Sequence, residues 1–186
     1  MLGYRALSND GDLPQSVLDA CLQHHERIDG SGFPNGLAAD QIAVVARMAA
    51  ICDTFDFLLS KTTATAPLDP AMALQHMKAM DGAFDEDILR HFIESVGIYP
   101  VGSFVVLRSE KLAMVIDVDP KDHTRPILQA FYSLSKGERI LPHRIALTNN
   151  ADTDEITGIA DLSDLGLPED GLLREMIFLS AFKSKG

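Results

Sequence analysis

Apolar residues recur every three or four positions in the first half of the chain and gather into short alternating runs in the second. Pro14 suits a first helical turn, and Val17, Leu18, Cys21 and Leu22 follow it at helical spacing. That helix delivers His24 and His25 near its C-terminal end, and the glycines between Gly30 and Gly36 stop it. Asp40 is placed to N-cap a long second helix carrying Ile42, Val45, Met48, Ala49, Cys52, Phe55 and Leu59. Asp69 before Pro70 starts a third, with Ala73, Leu74 and Met77 on one face. Asp85 starts a fourth, with Glu86 and Asp87 set favourably against its dipole. Leu89, Phe92, Ile93 and Val96 form its apolar stripe, and Gly97 ends it.

Beyond Gly97 the pattern shortens. Phe104–Leu107, Ala113–Ile116, Ile127–Tyr132 and Ile140–Leu147 read as strands, with Ser109-Glu110-Lys111 turning the first pair. The polar Asn149–Asp154 segment reads as a loop, and Pro168–Phe182 as a closing helix. The expected organisation is a helical unit over 1–97 and a small β-rich tail with a closing helix over 98–186.

Composition narrows the function classes. A chain of 186 residues holds one domain, or one and a small second unit. Its net charge of -11 argues against binding a nucleic-acid polymer, which needs Lys and Arg against phosphates. The two cysteines, Cys21 and Cys52, sit in apolar helical patterns and fit a reducing cytoplasm better than a disulfide framework. The N-terminal stretch lacks the pattern of a signal peptide, and no apolar run approaches the roughly 18 residues that span a bilayer. The expectation is a cytoplasmic protein that does not enter a membrane.

The chemistry concentrates in His24-His25-Glu26-Arg27-Ile28-Asp29-Gly30-Ser31-Gly32-Phe33-Pro34-Asn35-Gly36-Leu37. Neutral imidazole is the commonest nitrogen ligand of transition metals, and carboxylates complete such sites. Adjacent histidines on a helix point about 100° apart, so both rarely reach one ion. Asp53, on the following helix, comes beside the pair if the chain returns antiparallel across the glycine loop. Each piece also fits a plainer role: a solvated histidine pair, the polar edge of a helix at Asp53 and Asp56, a flexible connection at the glycines. His76, His91, His123 and His143 show no partner pattern and read as surface or core residues.

The order of the pieces changes their meaning. HHERIDGSGFPNGL closely resembles the HHExxDGxGYPxGL signature of the HD-GYP family. Arg47-Met48-Ala49-Ala50-Ile51-Cys52-Asp53-Thr54-Phe55-Asp56 resembles the family's R-I-x-x-x-A-D-x-x-D helix, and the segment from Gly97 to Leu107 resembles the one that often follows. The likeness covers roughly residues 2–107. It implies a mainly α fold, here a helical HD-type bundle fragment followed by a small β-containing C-terminal unit. It implies a metal-dependent phosphodiesterase lineage hydrolysing the bacterial second messenger cyclic di-GMP, with two or three ions, typically iron or manganese, in the complete domain. By motif position His24, His25 and Asp53 are metal ligands. Glu26, Asp29 and Arg47 are supporting catalytic residues, and the Gly30–Gly36 loop shapes the site or meets partner domains. A cyclic dinucleotide and GGDEF-type or other signalling proteins are the implied partners.

Three departures qualify that expectation. Phe33 stands where the signature has tyrosine. After Asp56 the family's A-L-T-S-x-R-P-Y-K/R is replaced, with Thr62, Ala64 and Thr65 at the arginine, tyrosine and second basic positions. Lys61 is left as the substrate-binding cation, a point charge without the planar fork of arginine. No histidine precedes His24, so the family's upstream His-Asp ligands are absent. The expectation is an incomplete domain with little activity alone, whose uncovered apolar face drives self-association as a homodimer. Two alternatives stand beside it: a degenerate, non-catalytic nucleotide- or protein-binding signalling module, and another HD-superfamily phosphohydrolase.

Overall fold

The computed structural model describes residues 2–8, 13–60, 66–119, 122–147 and 154–183. The chain divides into two compact units, Met1–Leu68 with Ala73–Glu94, and Asp69–Met72 with Ser95–Gly186. Its helices are α1 (Leu2–Ser8), α2 (Gln15–Gln23), α3 (Val44–Leu59), α4 (Pro70–Lys78), α5 (Glu86–Val96) and α6 (Asp170–Lys183). Its strands are β1 (Phe104–Leu107), β2 (Lys111–Asp119), β3 (Asp122–Ser133), β4 (Glu138–Ala146) and β5 (Ile156–Ile159). The fold is mainly α with a small β unit. Among the described residues no helix is long and apolar enough to cross a membrane.

In the first unit α2 packs on α3, which buries Ala46, Ala50 and Ile51 at helical spacing. Ala73, Leu74, Met77, Ala83 and Ile93 are buried as well, and Phe55 of α3 meets Phe92 of α5 edge to face at 5.3 Å. α3 does not begin where Asp40 suggests. Asp40 lies in a short 3-10 turn, Ala39–Gln41, and the helix starts at Val44 with Ala43 at its N-cap. Between them Ile42 takes an extended conformation and is 2% exposed; burying that side chain interrupts the helical path. The orphan N–H of Ala43 is instead donated to Gln23 Oε1 at 2.9 Å. Asp85 does cap α5, its Oδ1 accepting the N–H of Ile88 at 3.1 Å.

The second unit is an antiparallel sheet in the order β4-β3-β2-β1-β5. α6 covers one face over Phe104, Leu112, Met114, Phe131 and Tyr132, using Leu173 and Ile177. The other face gathers Val105, Leu107, Ala113, Val115, Leu128 and Ala130. Asp69 ties this unit together: Oδ1 accepts the N–H of Ala71 and Oδ2 that of Phe104, both at 2.9 Å. Arg174 donates to the same carboxylate at 3.3 Å and to the Gly102 carbonyl at 2.8 Å. β2 and β3 run longer than the apolar runs that announce them, and neither α1 nor β5 is marked in the sequence pattern. The Asn149–Asp154 loop lies outside the described residues up to Asp154.

Candidate metal centre

α2 ends at Gln23, and that ending sets the geometry of the histidine pair. His24 completes the last helical hydrogen bond, its N–H donating to the Ala20 carbonyl at 3.2 Å, while His25 lies past it. The two rings lie 4.1 Å apart, tilted by 44°. Asp53, midway along α3, reaches the same place, with Oδ2 3.8 Å from Nδ1 of His25.

One ligand atom from each of His24, His25 and Asp53 can be chosen so that all lie within 4.8 Å of one another, the one such group among the described residues. Two atoms bound to a single ion at about 2.0–2.2 Å stand at most about 4.4 Å apart. In tetrahedral coordination the donors would stand about 3.3–3.6 Å apart, so sharing one ion draws these side chains together by up to about 1.5 Å. Two imidazoles and one carboxylate suit a divalent transition metal. The His25 and Asp53 side chains are about half exposed, at 45% and 53%, so the site is open to solvent.

Glu26 is 3% exposed and lines the same cleft as the histidine pair. Its Oε1 accepts the N–H of Asn35 at 2.7 Å and its Oε2 that of Leu37 at 3.0 Å, which pins the glycine loop. Gly32 is required there: a Cβ would lie 2.3 Å from the backbone nitrogen of Arg27. Asp29 holds the adjoining backbone, donating its N–H to the Gly82 carbonyl at 3.0 Å while Oδ1 accepts the N–H of Ser31 at 2.9 Å. Hydrogen bonds from Ser31 hold its carboxyl below the ordinary range. Arg47 donates Nε to the Ile42 carbonyl at 2.9 Å and Nη1 to Asp85 at 3.1 Å. It braces the start of α3 against the cap of α5. Lys61 and Thr62–Thr65 lie outside the described residues.

Beside the three donors opens a cleft of about 120 Å³, lined by His24, His25, Arg27, Phe33, Thr54 and Phe84 among others. Arg27 and Phe84 carry no role in the sequence reading. Arg27 is marked only by standing next to the buried Glu26, and Phe84 arrives because the Gly82–Ala83 carbonyls accept from Asp29 and Ile28. His91 and His143 turn their Nδ1 atoms to the Asp87 and Leu141 carbonyls.

Residues 4–88 match the model of the HD domain family. The chain is 37% identical over 156 residues to the cyclic di-GMP phosphodiesterase PA4108 of Pseudomonas aeruginosa, covering 84% of this chain and 38% of that protein. It is 23% identical over 141 residues to the cyclic di-GMP phosphodiesterase PdeB of Borreliella burgdorferi, covering 75% and 36%. It is 28% identical over 95 residues to a cyclic di-GMP phosphodiesterase of Thermotoga maritima, covering 50% and 26%. Within the HD domains, this chain belongs to the HD-GYP family. It spans less than two-fifths of the length of each of these relatives.

Proposed function

We propose that the chain carries part of a metal-dependent phosphodiesterase domain that hydrolyses cyclic di-GMP in bacterial signalling. The convergence of His24, His25 and Asp53 within 4.8 Å carries this reading. These three would hold one divalent ion, iron or manganese by family resemblance. When bound, such an ion polarises a phosphoryl oxygen and supplies a hydroxide near neutral pH. The rest is the work of the chain. Glu26 fixes the loop that flanks the cleft, Asp29 anchors that loop to Gly82, and Arg47 sets α3 against Asp85 so that Asp53 faces the histidines. Arg27 in the cleft, and Lys61 following α3 in sequence, are the cations offered to phosphate.

Three donors leave an open position on one ion but are too few for two. A second ion therefore needs ligands beyond these, and the 186 residues alone should turn over little substrate. Exposed Val44, Val45 and Met48 on α3 support self-association through that helix. The test is hydrolysis of cyclic di-GMP and 3'3'-cGAMP, followed chromatographically, with added Mn²⁺ or Fe²⁺. The expected result is one ion bound per chain and turnover far below about 1 s⁻¹. Turnover at an ordinary enzyme rate would overturn the incompleteness, and failure to bind Mn²⁺ would overturn the metal centre.

A further inference from the structure

We propose that Phe33 is a stacking platform for a purine base of a nucleotide bound in the cleft; this rests on the phosphodiesterase reading of the same site. Phe33 lines the cleft and yet is 61% exposed. A large apolar ring is left in solvent here on a backbone that cannot let it retreat. Its N–H donates to the His25 carbonyl at 3.2 Å, Gly32 before it fits against the Glu26 and Arg27 backbone, and Asn35 and Leu37 after it are held by Glu26.

The ring itself stacks on His25, centroids 4.7 Å apart and planes 30° from parallel. A loop pinned on both sides of the ring has already lost the conformational freedom that binding would otherwise remove. Arg27 lines the same cleft, so an arginine and a flat apolar surface stand together beside the metal donors. A ligand that joins a π-face to an anionic phosphate satisfies both, and a nucleotide is that chemistry. Stacking on an aromatic side chain is sequence-tolerant, since every base has a π-face, and its removal weakens binding from about fivefold to over a hundredfold.

The chain contains no tryptophan, so Phe33→Trp installs a single fluorescent reporter. Titration with GMP and with cyclic di-GMP should quench the introduced indole, and ribose 5-phosphate should not. By calorimetry Phe33→Leu should weaken cyclic di-GMP binding by about tenfold or more while Mn²⁺ affinity stays within about twofold of wild type. Circular dichroism and thermal midpoint confirm that the variants are folded. Unchanged nucleotide affinity in Phe33→Leu overturns the proposal, as does equal quenching by ribose 5-phosphate. A parallel loss of Mn²⁺ affinity overturns it too, because the ring then acts by orienting His25. No nucleotide binding by the Mn²⁺-loaded wild-type chain would also overturn it, whereas the metal-centre reading fails on a separate observable, the absence of Mn²⁺ binding to wild type.

Discussion

His24 donates its Nδ1–H to the carbonyl oxygen of Ala20 across 2.8 Å, one turn back along α2. A carbonyl only accepts, so this bond fixes the proton on Nδ1 and leaves Nε2 with the ring's lone pair. Ligating histidines are held in just this way, by a second hydrogen bond that sets tautomer and ring orientation. Nitrogen-15 shifts of the metal-free chain should therefore show His24 as the Nδ1–H tautomer. A majority of the Nε2–H form would remove the basis for treating His24 as preset for a metal.

The three donors should act as a unit. His24→Ala, His25→Ala and Asp53→Ala are each expected to lower Mn²⁺ affinity by at least about tenfold, measured by calorimetry. In wild type, Mn²⁺ at a hundred times its dissociation constant should raise stability by about 2.7 kcal/mol, seen as a higher thermal midpoint, and each variant should lose most of that gain. His91→Ala, whose ring is turned to its own helix, should keep it.

Glu26 is a positioning residue, and its removal should be felt in the loop rather than at the donors. Glu26→Ala strands the amides of Asn35 and Leu37 without their acceptors, at a cost of about 1–3 kcal/mol for each group that stays buried. Glu26→Gln keeps one acceptor but turns an NH₂ toward an N–H, so it should be only partly better. Hydrogen exchange at Asn35 and Leu37 should accelerate in both variants, with Glu26→Ala the faster. Unchanged exchange there would mean that the loop is held by something other than this carboxylate.

Much of this fold is legible in the sequence. The helical period marks α2, α3, α4 and α5, and the run Phe104–Leu107 coincides with β1. Local chemistry marks the caps at Asp69 and Asp85, because a short carboxylate can reach the N–H groups just ahead of it. Asp40 carries the same chemical signal and fails, since burial of Ile42 outweighs a cap worth about 1 kcal/mol. β5 is four residues long and gains its hydrogen bonds from β1, a partner about fifty positions away in sequence, so nothing local announces it. The approach of Asp53 to the histidine pair is a contact between α3 and the end of α2, nearly thirty positions apart in sequence, so no local pattern announces it.

Asp85 gives the first unit a pH dependence of known sign. The N–H of Ile88 and the Arg47 guanidinium hold its carboxyl below the ordinary carboxylate range. A lowered folded-state pKa contributes stability that is present above the unfolded value, near 3.9, and is lost as the pH falls through the folded one. Asp85→Asn keeps an acceptor for the cap but not the charge facing Arg47. Its deficit against wild type, from urea unfolding, should be present at about pH 7 and shrink as the pH falls through and below the ordinary carboxylate range. A deficit that grows toward acid would contradict the assignment.

Gln129 presents the reverse case, a polar side chain whose loss should help. It is 1% exposed in β3, opposite Met114 of β2 and Arg144 of β4, and among the described residues neither its amide oxygen nor its nitrogen finds a partner. A buried amide without hydrogen bonds costs roughly 1–3 kcal/mol on mutational scales. Methionine has nearly the same length and flexibility, carries no obligatory donor, and already fills the neighbouring position on β2. Gln129→Met should therefore raise the unfolding free energy of the second unit by about 1–2 kcal/mol, read as a higher urea midpoint at unchanged slope. Gln129→Ala should lower it instead, because the relief of the amide is then outweighed by a cavity beneath α6. If Gln129→Met proves destabilising, the amide is satisfied in solution by bound water, and exchange-protected water beside β3 should be visible by NMR.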